Sequence, residues 1–210
     1  MINLYNQDCM VAMAGFDDNQ FDLAIVDPPY GWGNKYNFRF HDDDTKETYD
    51  NVRPPKEYFK QLLRISKEQI VWGGNYFTND LPENRGWICW DKKQPLEGTS
   101  FSHFELAWTS FDKTAKMVVL ANAGFNHADK RIRGESTIHP TQKPVSLYEW
   151  LIRKYTKKPL SILDTHLGSG SIALACHNLG YDLTAYEINP IYFNAATKRL
   201  KQHQSQIRMF

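Results

Sequence analysis

Cysteine is scarce in this chain of 210 residues, and Cys9, Cys89 and Cys176 lie far apart with no C-x-x-C pair. That spacing argues against a disulfide frame and against a zinc or other metal site. The three read as reduced thiols of a cytoplasmic protein, serving as small buried hydrophobes. No apolar run reaches the ~18 residues of a membrane-crossing helix, so no membrane partner is expected. Met1-Ile2-Asn3-Leu4-Tyr5 shows no basic stretch followed by an apolar one, so no secretory signal is expected either. Internal repeats and low-complexity segments are missing. Net charge is nearly absent, at +1. A protein that handles nucleic acid can carry so little charge only if its cations cluster. Here Lys92-Lys93, Lys113 with Lys116, and Lys130-Arg131-Ile132-Arg133 fall in one middle segment.

What is present is the composition of one soluble globular α/β domain, 41% hydrophobic and 23% charged. Short apolar runs alternate with helical patterns. Strands are expected at 2–5, 22–26, 69–72, 86–91, 104–109, 160–164 and 183–187. Helices are expected at about 10–16, from Pro54-Pro55 through Ile65, at 145–155, at 172–179 and from Pro190 onward. The runs at 86–91 and 104–109 are close enough to pair as antiparallel neighbours. The pattern predicts an open, Rossmann-like, mostly parallel sheet with one antiparallel hairpin strand and helices on both faces. Two stretches lack a period. Residues 31–53 are polar and rich in glycine and aspartate, and read as a mobile substrate loop. Residues 111–138 are irregular and basic, and read as a short target-recognition segment.

The apolar run Phe21–Val26 leads into Asp27-Pro28-Pro29-Tyr30. Two prolines cannot donate to a sheet ladder, so the strand stops there. They form a stiff platform with an acid on one side, an aromatic ring on the other, and carbonyls able to accept from a ligand. A carboxylate beside a carbonyl suits a substrate with two N–H bonds on one nitrogen, and the ring suits a flat one. Together they describe a clamp for the exocyclic amine of a nucleobase. The plainer reading is a strand-ending proline turn.

Further along, strand 160–164 runs into Asp164-Thr165-His166-Leu167-Gly168-Ser169-Gly170, then a helix, then a strand ending at Glu187. The glycines permit a tight turn, the helix start offers free N–H groups, and Glu187 is placed to accept ribose hydroxyls. The turn lacks the Lys-Ser/Thr of a triphosphate loop and the third glycine of a dinucleotide site. An adenosyl cofactor without phosphates fits, which points to S-adenosylmethionine.

With these motifs in this order, the chain resembles the amino-methyltransferases of DNA, in the permuted class where Asp-Pro-Pro-Tyr precedes the cofactor glycines. The resemblance spans most of the chain, from Asp8 to Leu200, and is weak over 31–53 and 111–138. It implies a single S-adenosylmethionine-dependent methyltransferase domain over 1–210. It implies catalytic roles for Asp27, Pro28, Pro29 and Tyr30. It implies cofactor contacts at Asp8 and Cys9 (adenine ring), at His139, Thr141 and Lys143 (methionine end), at Asp164, His166, Gly168, Ser169 and Gly170, and at Glu187 and Asn189 (ribose). The chain departs from the family at His166, where a phenylalanine usually lies against the methionine end.

The resulting expectation is in-line transfer of methyl from the sulfonium to an exocyclic nitrogen of a base in DNA. Asp27 and the Pro28 carbonyl would each accept an N–H, and Tyr30 would stack on the base. A base in a duplex is out of reach, so it is flipped out or the substrate is single-stranded. Adenine is favoured, because Asp at position 27 leans that way by resemblance. Cytosine, RNA or a protein amide, and a non-catalytic nucleic-acid-binding module on the same fold, are the competing readings. Pairing of two copies would help so small a protein hold DNA.

Overall fold

The computed structural model describes residues 1–31, 52–93, 102–121, 138–139, 141–157 and 160–205. Its strands are β1 (Ile2–Tyr5), β2 (Phe21–Val26), β3 (Ser66–Trp72), β4 (Trp87–Asp91), β5 (Phe104–Thr109), β6 (Lys116–Val119), β7 (Ser161–Asp164) and β8 (Asp182–Tyr186). They form one sheet in the order β1-β8-β7-β2-β3-β5-β4-β6. Every pairing is parallel except those of β5, which runs against both β3 and β4. The single reversed strand is the hairpin partner anticipated from the closeness of the runs at 86–91 and 104–109.

Alternation along the central strands sends side chains to two cores. Leu23 and Ile25 of β2, with Ile70 and Trp72 of β3, face one side. Ala24 and Val26, with Val71, face the other. The first core is covered by α3 (Val145–Tyr155), α4 (Ser171–Leu179) and α5 (Pro190–Ser205), the second by α1 (Cys9–Met13) and α2 (Lys56–Ile65). Strands buried on both faces must be apolar throughout, which is why β2 reads as an almost unbroken hydrophobic run. In α2 the buried Tyr58, Phe59, Leu62 and Ile65 fall on one face at helical spacing. Each such side chain contributes about 1.5–3 kcal/mol of transfer free energy.

Two sequence expectations change. The chain over 111–138 is not irregular throughout, because β6 pairs in parallel with β4 from Ile88↔Lys116 to Asp91↔Val119. Four residues with Met117 and Val119 exposed give too little alternation to mark a strand, and only the waiting edge of β4 makes one. Strand β3 also begins at Ser66, three residues before the expected start at 69, because Ser66 and Glu68 take up pairing with Phe21 and Leu23. Most of the proposed substrate loop, residues 32–51, and most of the proposed recognition segment, residues 122–137, lie outside the described residues.

Candidate active site

Because β8, β7, β2 and β3 are parallel neighbours, their C-terminal ends share one edge of the sheet. Open α/β sheets bind ligands at that edge. It carries Glu187 after β8, the turn 165–170 after β7, Asp27 after β2 and Gly73-Gly74 after β3. Asp27, His139, Thr141, Lys143, His166 and Gly168 line one cleft there. The structure thus brings together the platform, the glycine turn and the segment at His139, which are far apart in sequence.

The Asp27 carboxylate is already engaged on both oxygens. The Tyr30 hydroxyl donates to Oδ1 at 2.8 Å. The Lys143 ammonium donates to Oδ2. Tyr30 leans over Gly73, whose φ is +66°, and a Cβ there would sit 2.2 Å from Tyr30 Cε1. Only glycine allows this ring position. Tyr76, from the short 3₁₀ turn Gly74–Tyr76 that follows, lies 5.0 Å from the Tyr30 ring at 33°. Phe77 packs beneath at 6.1 Å. The aromatic side of the platform is therefore a small group of rings.

Lys143 is buried, with a side chain 3% exposed. Its Nζ also meets Glu105 Oε2 at 3.1 Å and lies 5.3 Å from the centre of the Trp72 ring. Glu105 Oε1 in turn meets Lys92 Nζ at 2.5 Å, and Lys92 lies over Trp90 at 5.5 Å. Burial opposes the charge on Lys143, but the Asp27 and Glu105 carboxylates outweigh it and hold the ammonium above its ordinary value. Burial pushes Glu105 up, yet Lys143 and Lys92 prevail and keep its carboxyl well below the usual range. Lys143 thus faces the platform acid, alongside the part in holding the methionine end that the family resemblance gives it. Glu105 carries no signal in the sequence beyond being an acid in an apolar strand. Lys92, read with Lys93 as part of the basic middle segment, turns to Glu105 instead.

On the cofactor side, Glu187 Oε2 accepts from Gly168 N at 2.8 Å and Oε1 accepts from Asn189 N at 2.9 Å. These bonds fix a buried carboxylate that burial pushes above its usual range. Gly170, with φ of +72°, ends the turn, and a Cβ there would meet Ala196 Cβ at 3.0 Å. Ser169 O and Ser171 Oγ accept from Arg199, each at 2.9 Å. Asp164 is buried and accepts from His166 N at 3.0 Å. Burial drives its carboxyl up to about 8, aided by the Asp27 and Glu187 charges. Asp8 caps α1, accepting from Met10 N at 2.8 Å, and Cys9 opens that helix. Tyr5 stacks on Tyr186 at 5.2 Å across the pairing of β1 with β8.

His166, where the family resemblance expects phenylalanine, still packs as an aromatic, edge-on to Tyr58 at 5.4 Å. Its Nδ1 shares a hydrogen bond with Thr165 Oγ1 at 2.9 Å, and Thr165 Oγ1 pairs with Tyr58 Oη at 2.6 Å. Burial pushes the His166 imidazole down to about 4, so the ring is neutral. Burial and the Lys143 charge push His139 down to about 3, and its Nδ1 accepts from Thr141 N at 3.3 Å.

This sheet order and this edge define the Rossmann-like fold of the S-adenosylmethionine-dependent methyltransferases. Over residues 71–198 the sequence matches the N6/N4 DNA methylase family, and the chain belongs to it. It is 25% identical to the type II methyltransferase M.HpaI of Haemophilus parainfluenzae, over 90% of this chain and 71% of that one. It is 24% identical to the type II methyltransferase M2.DpnII of Streptococcus pneumoniae, over 94% and 89%. In fold it is similar to M1.HpyAVI, solved as a complex with S-adenosylmethionine, at a TM-score of 0.64 and 20% identity over 95% and 99% of the two chains. The cytosine-N4-specific PvuII DNA methyltransferase gives 0.64 at 15% identity, over 100% and 88%.

Proposed function

We propose that this chain transfers the methyl group of S-adenosylmethionine to the exocyclic amine of a base in DNA, with adenine as the base. The observation that carries the reading is the meeting, in one cleft, of Asp27 with the glycine turn after β7. The residues fit the cofactor: Gly168 and Gly170 supply the left-handed backbone of the tight turn that opens α4, and Glu187 is an ordered carboxylate at the next strand tip. In this reading Asp8 and Cys9, with Tyr5 and Tyr186, take the adenosyl ring, and His139, Thr141 and His166 take the methionine end. The bound cofactor supplies an electrophilic methyl on a sulfonium.

The chain's own groups act on the amine. Asp27 and the Pro28 carbonyl accept its two N–H bonds, which frees a lone pair otherwise delocalised into the ring. The amine gains positive charge as the N–C bond forms, and the carboxylate stabilises it. The proton is lost afterwards, with Asp27 as the nearest acceptor. A carboxylate has about four lone-pair sites, so Asp27 can receive the amine without losing both present partners. Tyr30 leaves its bond to Asp27 to stack on the base, which must be flipped out or unpaired. Asp27 favours adenine through the family resemblance.

The test is transfer from labelled S-adenosylmethionine to unmethylated DNA, followed by digestion to nucleosides. N6-methyladenine is the expected product. N4-methylcytosine overturns the choice of base, and the absence of any labelled nucleoside overturns the activity. Asp27→Ala is expected to abolish transfer while calorimetry still detects cofactor binding.

A further inference from the structure

The platform acid is held in a partly buried chain of alternating charge, Asp27, Lys143, Glu105, Lys92, of which Lys143 is the buried member. Two carboxylates and two ammonium groups make this set neutral. The face of Trp72 lies against Lys143 and that of Trp90 against Lys92, so both cations have π-faces where water would otherwise be. The set is built from four parts of the chain. Asp27 follows β2, Lys92 follows β4, Glu105 is near the start of the reversed strand β5, and Lys143 precedes α3.

This arrangement raises a problem for the chemistry. Methyl transfer breaks the S–C bond, leaves that electron pair on sulfur and forms an N–C bond. Positive charge thereby moves from sulfur to the amine nitrogen beside Asp27. A lysine ammonium bound to the same carboxylate opposes that charge. Were Lys143 paired with Asp27 alone, the pair would present no net negative charge to the nitrogen. Glu105 restores it. Its oxygen lies 3.1 Å from Lys143 Nζ, so it offsets the ammonium and can keep hold of it when the amine takes up Asp27 Oδ2. Lys92 keeps Glu105 ionised and oriented.

Resting on the proposed methyl transfer, we infer that Glu105 is a positioning residue of the reaction: it holds Lys143 as a movable counter-ion, so that Asp27 is free to stabilise the cationic amine. Glu105 touches neither base nor cofactor in this reading and acts through Lys143. Among the described residues, the charged and titratable groups around Lys143 are Asp27, Glu105, His139 and Asp164, with Lys92 behind Glu105. His139 is neutral at working pH, so Glu105 and Asp27 are the groups that hold the lysine proton.

The experiment measures single-turnover methyl transfer to DNA against pH for the unaltered protein, Glu105→Gln and Lys92→Met. In Glu105→Gln the charged set is left with one excess positive charge. Its rate is expected to fall about a hundredfold, the effect of losing one preorganised charge-stabilising group. Its KM for S-adenosylmethionine should stay within about threefold of the original. The alkaline limb of its profile should move to lower pH, because Lys143 loses one of the two carboxylates that retain its proton. Lys92→Met leaves one excess negative charge, and its alkaline limb should move the other way. That variant decides the matter if Glu105→Gln does not fold. Unaltered rates, or limbs that stay in place in the folded variants, overturn the inference while leaving the methyltransferase reading intact. Failure of the unaltered protein to label DNA overturns both.

Discussion

Single side chains set the protonation pattern of the site, and Asp164 shows it most sharply. Its carboxyl is pushed up to about 8 by burial, against an ordinary value of 3.8. A carboxyl raised in the folded state binds its proton more tightly there than in the unfolded chain. The stabilisation is fully present below about pH 4 and is lost as pH rises through about 8. Melting temperature is therefore expected to decline from pH 5 to pH 9, and Asp164→Asn should flatten that decline. An identical slope in the variant would show that other groups carry it. Gly73 is a second such position. Gly73→Ala forces a Cβ into the Tyr30 ring at a φ of +66°, and displaced rings misplace the base. Transfer is expected to fall about a hundredfold with cofactor affinity retained.

Elements decide how the site is held. Helix α4 starts at a glycine in the left-handed region, against Ala196 of α5. Gly170→Ala combines that strained backbone with a crowded contact, and should destabilise by about 1–3 kcal/mol in denaturant melts. On the other face, Leu62 of α2 is fully buried. Leu62→Ala should cost about 2–5 kcal/mol and leave the methyl-transfer rate of the folded fraction unchanged, because α2 supports the platform from the far side of the second core. At this scale the sequence is highly legible. The helix at 145–155 has the boundaries its apolar spacing predicts, and the glycine turn at 168–170 falls between a strand and a helix as read. Strand β6 was not legible, because its four residues gain their structure from pairing with β4.

For the molecule as a whole, S-adenosylmethionine at a hundredfold excess over its Kd should stabilise by about 2.7 kcal/mol. For a domain of this size that is a rise in melting temperature of about 5–10 °C. No shift in a thermal scan would remove the cofactor from the reading, whatever the fold. Among the described residues no helix is long and apolar enough to cross a membrane.

The order of motifs was written in the chain. Asp27-Pro28-Pro29-Tyr30 after an apolar strand, Gly168-Ser169-Gly170 before a helix and Glu187 at a strand tip each follow from local backbone chemistry, because proline, glycine and hydrophobic periodicity act within a few residues. The partners of Asp27 were decided only by tertiary structure. Glu105 reaches the site because β5 runs backwards and delivers its first residues, not its last, to the edge where the parallel strands end. Lys143 and Lys92 join it by pairing with its two oxygens, Lys143 bridging to Asp27. The antiparallel pairing of 86–91 with 104–109 was legible from their closeness, but the place of β5 between β3 and β4, and the burial that follows, are properties of the assembled sheet that no local pattern encodes.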